Sequence, residues 1–262
     1  MESITSSSNA QIKHLKELQS RAKARRETGT FVAEGRKLVE EACKLGLTEQ
    51  IYLSESYARE QEENLTGLVE KADICRAVAD SIFKTISDTQ TPQGILAVVK
   101  QPRYQIEELL AQETVHLLIL EDIRDPGNLG MMLRTAEGAG MDAVLMSQGT
   151  VDLYNPKVVR ATMGSIFRVP FAYETDFIQM LQNIKEKQIH LFAAHLGGTA
   201  YYDEMTYPDR CAVLIGNEAN GLTEEAAKEA DCYVKIPMAG KVESLNAAVA
   251  AALLMYQMRR KK

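Results

Sequence analysis

From Val115 onwards, short apolar runs alternate with helical patterns, and this alternation constrains the fold more than any other feature of the chain. The runs are almost continuously hydrophobic, so each predicts a strand that is buried on both faces. Such strands, when they alternate with helices, form a parallel sheet that helices cover on both sides. The predicted strands are 115–120, 143–146, 191–194, 211–215 and 233–236, and the predicted helices are 129–137, 156–165, 177–187, 224–230 and 245–258.

The first hundred residues predict a second, smaller α/β domain. Ser7 or Ser8 can cap a first helix, whose apolar positions recur at helical spacing. Short strands are predicted at 31–33, 51–53, 74–78 and 94–99, with helical patterns between them. The polar stretch 101–105 is typical of a linker. We therefore predict two domains, 1–104 and 105–262.

The charge of the chain is unevenly distributed. Its net charge of -6 argues against a nucleic-acid partner, but eight basic and only three acidic residues lie between Lys13 and Lys37. A local basic block can attract phosphates whatever the overall sign of the charge. The alternative interpretation is a solvated helix face. The predicted phosphate contacts are Lys13, Lys16, Arg21, Arg25 and Arg26.

The cysteines and the apolar runs exclude several protein classes. The four cysteines are scattered, without a CxxC pair or histidines at metal-ligand spacing, so we expect reduced thiols and no metal site. The longest apolar run, 247–255, is far shorter than the roughly 20 residues of a membrane span. The start of the chain has no secretory pattern. We therefore expect a cytoplasmic protein with no membrane partner.

Two glycine-containing stretches suggest other enzymes but lack the required context. Residues 138–143 fit the dinucleotide pattern G-x-G-x-x-A, yet they end a predicted helix instead of opening one, which favours a helix C-cap. His195-Leu-Gly-Gly198 resembles an oxyanion loop, but the chain has no G-x-S-x-G nucleophile elbow. A nicotinamide-dependent oxidoreductase and a hydrolase are therefore both disfavoured.

Three polar stretches follow predicted strands of the second half. They are Asp125-Pro-Gly-Asn-Leu-Gly with Arg134 soon after, Ile215-Gly-Asn-Glu-Ala-Asn-Gly-Leu222, and Ile236-Pro-Met-Ala-Gly-Lys-Val-Glu-Ser-Leu-Asn246. In open α/β sheets, ligands bind beyond the carboxyl ends of the strands. We therefore expect these three motifs to meet at one edge of the sheet.

As an ordered set, the three motifs closely resemble those of the SpoU/TrmH branch of the SPOUT RNA 2'-O-methyltransferases. The resemblance implies ribose methylation with S-adenosylmethionine, a deep trefoil knot in the parallel-sheet domain, and a homodimer whose active sites are completed across a two-fold interface. Residues 160–170 resemble the family's intermediate segment. The stretches 31–35 and 91–94 resemble the substrate-binding domain of members that act on ribosomal RNA, so the N-terminal α/β domain is expected to bind RNA.

The resemblance also implies roles for individual residues. Arg134 matches the arginine at the ribose and its neighbouring phosphate, and Asn128 matches the asparagine that positions it. Glu218 matches the glutamate of the second motif, and Ser244 and Asn246 match a pair in the third; with Asn128 and Arg134 they are the expected catalytic residues. The expected cofactor-binding residues are Leu196, Gly216, Asn217, Ile236, Met238, Ser244 and Leu245.

The resulting expectation is an enzyme that methylates a ribose in structured RNA, with 23S ribosomal RNA favoured over tRNA. A tRNA 2'-O-methyltransferase is one alternative. A non-catalytic RNA-binding protein on the same fold is another, because it would keep the basic block and could dispense with the catalytic residues. The joint presence of the five expected catalytic residues weighs against that second alternative.

Overall fold

A computed structural model describes residues 3–61 and 74–260. The chain divides into two compact units by packing: a first unit, Met1–Arg103 with Asp152–Phe167, and a second unit, Tyr104–Val151 with Arg168–Lys262. The division predicted after residue 104 did not anticipate that the segment 152–167 packs with the first unit. No helix within the described ranges is long and apolar enough to cross a membrane.

The described helices, numbered in chain order, are short. They are α1 (Ala10–Ser20), α2 (Ala22–Thr28), α3 (Arg36–Lys44), α4 (Glu55–Glu60), α5 (Asp80–Ile86), α6 (Ile106–Leu110), α7 (Pro126–Ala139), α8 (Pro156–Ala161), α9 (Phe177–Glu186), α10 (Glu224–Glu229) and α11 (Ala247–Met258).

The first unit is built on a mixed sheet. Its strands are β1 (Ser3–Ile4), β2 (Thr30–Glu34), β3 (Thr48–Ser54), β4 (Ile74–Val78) and β5 (Ile95–Lys100), in the order β1-β4-β3-β5-β2. Strand β5 runs antiparallel to both of its neighbours, whereas β1, β3 and β4 are parallel. The predicted small α/β domain is therefore confirmed.

Helix α1 illustrates how the sequence sets an element of the first unit. Ile12, Leu15 and Leu18 recur at three-residue intervals and are fully buried on the side of the helix that faces the core. The side chain of Asn9 caps the helix by accepting a hydrogen bond from the backbone N–H of Gln11 at 2.8 Å. The prediction of a cap at Ser7 or Ser8 was wrong by one or two residues.

The second unit contains the predicted parallel sheet. Its strands are β6 (Val115–Leu120), β7 (Ala143–Ser147), β8 (Phe171–Glu174), β9 (His190–Ala194), β10 (Ala200–Tyr201), β11 (Arg210–Ile215) and β12 (Cys232–Lys235). Every neighbouring pair is parallel, in the order β10-β12-β9-β11-β6-β7-β8. Strands β8 and β10 were not predicted from the sequence. These are the two edges of the sheet, and edge strands lack the continuous apolar run of a buried strand.

The ends of helices α7 and α11 position the motifs. Helix α7 begins after the Asp125 cap with Pro126 at its first position, and it ends at Gly140, whose φ of 72° is left-handed. The interpretation of 138–143 as a helix end is therefore confirmed. Helix α11 starts two residues later than predicted, after a cap formed by Asn246. It packs against α7 and β11. The trefoil knot stays an expectation from the resemblance.

Candidate active site

The three motifs lie at the carboxyl edge of the second unit's sheet. Strand β6 pairs with β11 in a register that places Leu120 opposite Ile215, so the segments after these two strands are neighbours. Strand β12 lies two positions further along the sheet, and its following segment leads into α11. The predicted placement of the motifs at one edge is confirmed, and it follows from the parallel direction of the strands.

Glu218 joins the second motif to the first. Its Oε1 accepts hydrogen bonds from the backbone N–H of Asp125 and from Asn128 Nδ2, both at 3.0 Å. Its Oε2 accepts one from the backbone N–H of Arg124 at 3.1 Å. One carboxylate therefore holds the segment that leads into α7, through three donors on both of its oxygens.

Asn128 and Asn246 join the first motif to the third. Asn246 Nδ2 donates to Asn128 Oδ1 at 2.9 Å, while Asn246 Oδ1 accepts from the backbone N–H of Ala248 at 2.9 Å as the cap of α11. Asn128 thus donates to Glu218 with its nitrogen and accepts from Asn246 with its oxygen. A continuous chain of side-chain hydrogen bonds, Asn246–Asn128–Glu218, connects all three motifs.

The hydrogen bonds determine the charge state of Glu218. Partial burial alone would raise the pKa of its carboxyl group, but the donors from Asn128, Arg124 and Asp125 outweigh burial and bring this pKa below its ordinary value. The group is therefore ionised at neutral pH, as its role as a pure acceptor requires.

The turn after β11 is shaped by close backbone contacts. A Cβ on Gly216 would lie 2.1 Å from the carbonyl carbon of Gly221, so no other residue fits at position 216 without displacing the turn. Asn217 and Gly221 exchange backbone hydrogen bonds at 3.0 and 2.8 Å. The Asn217 side chain also donates to the carbonyl of Asp122 at 2.8 Å. These contacts tie the turn to the segment after β6.

Arg134 does not join this network. It is exposed, and its guanidinium makes no hydrogen bond with any residue that the structure describes. It lies six residues after Asn128, which corresponds to about 240° around the helix. The Asn128 side chain bonds to Glu218 and Asn246 and makes no hydrogen bond to Arg134, so its expected role in fixing Arg134 stays a prediction. Ser244 is likewise exposed and has no hydrogen bond within the described ranges.

The expected cofactor-binding residues follow three adjacent strands. Leu196 comes after β9, Gly216 and Asn217 after β11, and the remaining ones after β12, in a sheet where these strands are neighbours. Leu196 is 74% exposed and Val242 is 61% exposed. Large apolar side chains left open beside a turn of packed backbone suit the two faces of a purine base. The residues present therefore fit an adenosyl group.

The basic residues of the first unit divide into two kinds. Arg25 is only 3% exposed, and its guanidinium donates to Asp152 Oδ2 at 2.8 Å and to the carbonyl of Leu18 at 2.5 Å. The prediction that Arg25 contacts phosphate was wrong, because its donors are used inside the unit. The other predicted phosphate contacts are all exposed: Lys13, Lys16, Arg21 and Arg26.

The residues that hold the segment after β6 in place were not predicted from the sequence. Asp122 has a φ of 54°, which is uncommon for a residue other than glycine. Its Oδ1 accepts from Ser147 Oγ at 2.7 Å, and its Oδ2 accepts from the Arg124 guanidinium at 2.9 Å. The signal in the sequence was the run of acidic residues 121, 122 and 125 after a buried strand, which resembles an ordinary polar turn.

Two family models match the chain. The SpoU rRNA Methylase family model matches residues 116–256, more than half of the chain, and the MRM3-like substrate binding domain model matches residues 9–97. A curated relative, the 23S rRNA (guanosine(2553)-2'-O)-methyltransferase RlmP of Bacillus subtilis, is 34% identical over 99% of this chain and 100% of its own length.

Solved structures give the same picture. The AdoMet-bound rRNA methyltransferase from Sinorhizobium meliloti superimposes with a TM-score of 0.87 at 31% identity, covering 98% of this chain and 97% of the other. The SpoU methyltransferase AviRb from Streptomyces viridochromogenes, in complex with AdoMet, has a TM-score of 0.84 at 23% identity, covering 96% of this chain and 97% of the other. This second likeness bears on the fold alone.

Proposed function

The chain belongs to the SpoU rRNA methylase family, and from that premise we propose that its substrate is a ribose in 23S ribosomal RNA. Like its family, it is an RNA ribose-2'-O-methyltransferase that uses S-adenosylmethionine. The observation that carries the methyl-transfer activity is the hydrogen-bonded chain Asn246–Asn128–Glu218, which assembles three motifs from distant parts of the sequence. The relative's action on 23S rRNA supports the substrate, and a ribosomal substrate supports a cytoplasmic location.

We assign the cofactor to the carboxyl edge of the strands β9, β11 and β12. Bound S-adenosylmethionine supplies an electrophilic methyl group on a sulfonium. In our proposal the packed turn at Gly216 and Asn217 offers backbone groups to the adenosyl portion, and apolar side chains enclose the base. These apolar side chains are Leu196, Ile236, Met238 and Leu245, and Ser244 borders the same segment.

In this proposal, Glu218 positions groups and does not remove the proton of the ribose hydroxyl. Both of its oxygens already accept hydrogen bonds, and its pKa lies below the ordinary value. A general base needs a free acceptor directed at the proton and a pKa near the working pH. Glu218 instead keeps Asn128 and the start of α7 in place, so that the ribose meets a rigid edge.

Arg134 is proposed to bind the phosphate beside the reacting ribose. A guanidinium stays protonated in proteins and presents a planar set of donors that matches phosphate geometry. Its exposed position without a partner in the described chain leaves those donors available. We therefore assign it to electrostatic stabilisation and positioning.

We also propose that the protein acts as a homodimer. Met131 lies on the same exposed side of α7 as Arg134 and is 51% exposed, and Val249 and Tyr256 on α11 are exposed as well. Helices α7 and α11 pack together, and in our proposal these exposed apolar side chains belong to the interface. A two-fold interface there would bring Arg134 of one copy to the network of the other, from which it is turned away in its own chain.

Mixed dimers test the dimer and the role of Arg134 together. We expect Arg134→Ala to lower the rate of methyl transfer about 1000-fold while S-adenosylmethionine binding is retained. We expect Glu218→Ala to lower this rate about 100-fold. When the two are mixed and exchanged, heterodimers contain one complete site only if Arg134 acts across the interface. Activity should then return to about a quarter of the wild-type value. No recovery from subunits that do exchange would contradict action across the interface.

The substrate is tested by mapping ribose methylation in ribosomal RNA and tRNA from cells with and without the protein. We expect one 23S rRNA nucleotide to lose its 2'-O-methyl group and purified protein to restore it. A missing methyl group in tRNA alone would establish the tRNA alternative. Protein that binds RNA but fails to bind S-adenosylmethionine would establish the non-catalytic alternative.

A further inference from the structure

Three sequence segments that resemble the family, but have no assigned chemistry, meet at one cleft of the first unit. They are the strand end at 34–35 with the start of α3, the loop 89–93, and the segment 160–163 at the end of α8. The cleft has a volume of about 430 Å³. That volume is within the range of small-ligand sites and is sufficient for one nucleotide.

Hydrogen bonds join the walls of the cleft to one another. The carboxylate of Glu34 accepts from the backbone N–H of Asp88 at 2.9 Å and from Thr89 Oγ1 at 2.8 Å, which fixes the loop to β2. Gln93 Oε1 accepts from the backbone N–H of Arg36 at 2.9 Å. The loop and the start of α3 are therefore held together, so a ligand would not have to order them.

Three cationic side chains, Arg36, Lys37 and Arg160, line the cleft alongside the carboxylates of Glu34 and Glu41. Arg36 and Lys37 are exposed at the start of α3, and Lys37 makes no ion pair with any described residue. Arg36 pairs with Glu40 at 2.5 Å, and Arg160 pairs with Asp88. Such partly exposed pairs contribute little stability, so a phosphate can compete for the arginines. Lys37 is the cation that is available without exchange.

An exposed methionine lies at the same cleft in an unfavourable backbone conformation. Met163 has a φ of 51° and is 55% exposed. The left-handed region is costly for an unbranched side chain other than asparagine or aspartate, and residues held there concentrate at functional sites. Packing does not explain the side chain, because more than half of it lies open to solvent. A flexible, polarisable thioether of this kind makes favourable contacts with the face of an aromatic ring.

We infer that this cleft binds one unstacked nucleotide of the substrate RNA, with its base against Met163 and its phosphate at Arg36 and Lys37. The inference rests on the proposed function and extends it, because it assigns a recognition site outside the methyl-transfer centre. Sequence-selective RNA recognition commonly takes single nucleotides out of the helix in this way. The hydroxyl of Thr91 and the amide of Gln93 line the cleft and can bond to the edge of the base.

Two substitutions in the full-length protein separate the two parts of this contact. RNA binding is measured without cofactor, from about 50 to 200 mM salt, on a transcript of the 23S rRNA region that corresponds to the relative's guanosine 2553. For Lys37→Gln we expect affinity to fall about 5-fold and the salt dependence to weaken by about 0.7 in log–log slope, because one phosphate contact is lost. Lys44→Gln, an equal change at the exposed far end of α3, is the matched control and should leave both unchanged.

Met163→Gly removes the base contact while suiting the backbone conformation. Glycine adopts positive φ freely, so thermal stability should be unchanged or higher. RNA affinity should fall about 5-fold without any change in salt slope, because stacking carries no counterion release. Guanosine 5'-monophosphate is the probe for a site that takes free nucleotides: micromolar binding that Met163→Gly abolishes, with no competition against RNA, would overturn the assignment to RNA.

The outcomes also separate this inference from the proposed function. If Lys37→Gln and Lys44→Gln bind RNA equally and Met163→Gly binds like the wild type, the cleft does not contact RNA, even when methyl transfer is intact. If the wild type binds the transcript and the variants behave as expected, but no methyl group is transferred to it, the cleft stands and the assigned substrate is wrong.

Discussion

The three motifs of the second unit and the basic block of the first unit both stand out in the sequence. In the structure the motif residues come together, whereas the basic residues do not. The motif residues Asn128, Glu218 and Asn246 bond to one another across 90 and 118 residues of chain. The basic residues disperse: Arg25 is buried, and Arg21 pairs with Glu17 at 3.8 Å. A motif that fixes both the residue type and its position after a strand predicts which side chains will meet. A cluster of charged residues in the sequence does not predict which of them will be exposed.

The largest effect that would sharpen this contrast is expected at Arg25. Arg25→Gln removes one partner of a buried ion pair and leaves Asp152 without its 2.7 Å contact to the guanidinium. The free energy of unfolding should fall by about 3 kcal/mol, because an uncompensated charge in a protein interior is costly. Urea unfolding followed by circular dichroism measures it.

The neighbouring residue provides the control for that experiment. Arg26 is exposed on the same helix, so Arg26→Gln should change the free energy of unfolding by less than about 0.5 kcal/mol. Equal and small losses for the two variants would show that Arg25 is a surface residue, and the contrast between the two regions would disappear.

A second prediction concerns the motif network itself. Glu218→Ala leaves the Asn128 amide and two backbone N–H groups without their acceptor. We expect kcat/KM for RNA methylation to fall about 100-fold, as when a positioned group is removed from an active site. Steady-state transfer of a radiolabelled methyl group to the 23S rRNA transcript measures this loss.

An exposed glutamate distinguishes loss of positioning from loss of negative charge. Glu186 lies on the surface of α9, so Glu186→Ala removes the same charge without removing a hydrogen-bonded partner and should retain full activity. Wild-type activity in Glu218→Ala would mean that the three motifs meet without cooperating, which would remove the observation that carries the proposed function.

Much of the second unit could be predicted because its central strands are buried on both faces and read as continuous apolar runs. The edge strands could not be predicted, because they lack such a run: Phe171 is the only buried residue of β8. The meeting of Asn128 with Glu218 followed from parallel strand direction. The orientation of Arg134 could not be predicted, because a strand pattern does not specify where a residue lies around the helix that follows. Burial of Arg25 depended on Asp152, more than a hundred residues away in the sequence.

The smallest expected effect concerns the basic residues that remain exposed. Lys13 and Lys16 lie on the outer face of α1, whose opposite face is buried, so their charges are free to meet phosphate. Replacing both with glutamine should lower RNA affinity by up to about 10-fold and weaken the log–log salt slope by about 1.4, with methyl transfer at saturating RNA unchanged. Replacing Lys44 and Lys84, which are exposed elsewhere on the same unit, removes equal charge and should change neither quantity. If both pairs weaken binding equally, net charge alone attracts the RNA and the basic block has no special part in it. If only the first pair does, a charge cluster in the sequence marks a binding face once the buried member, Arg25, has been set aside.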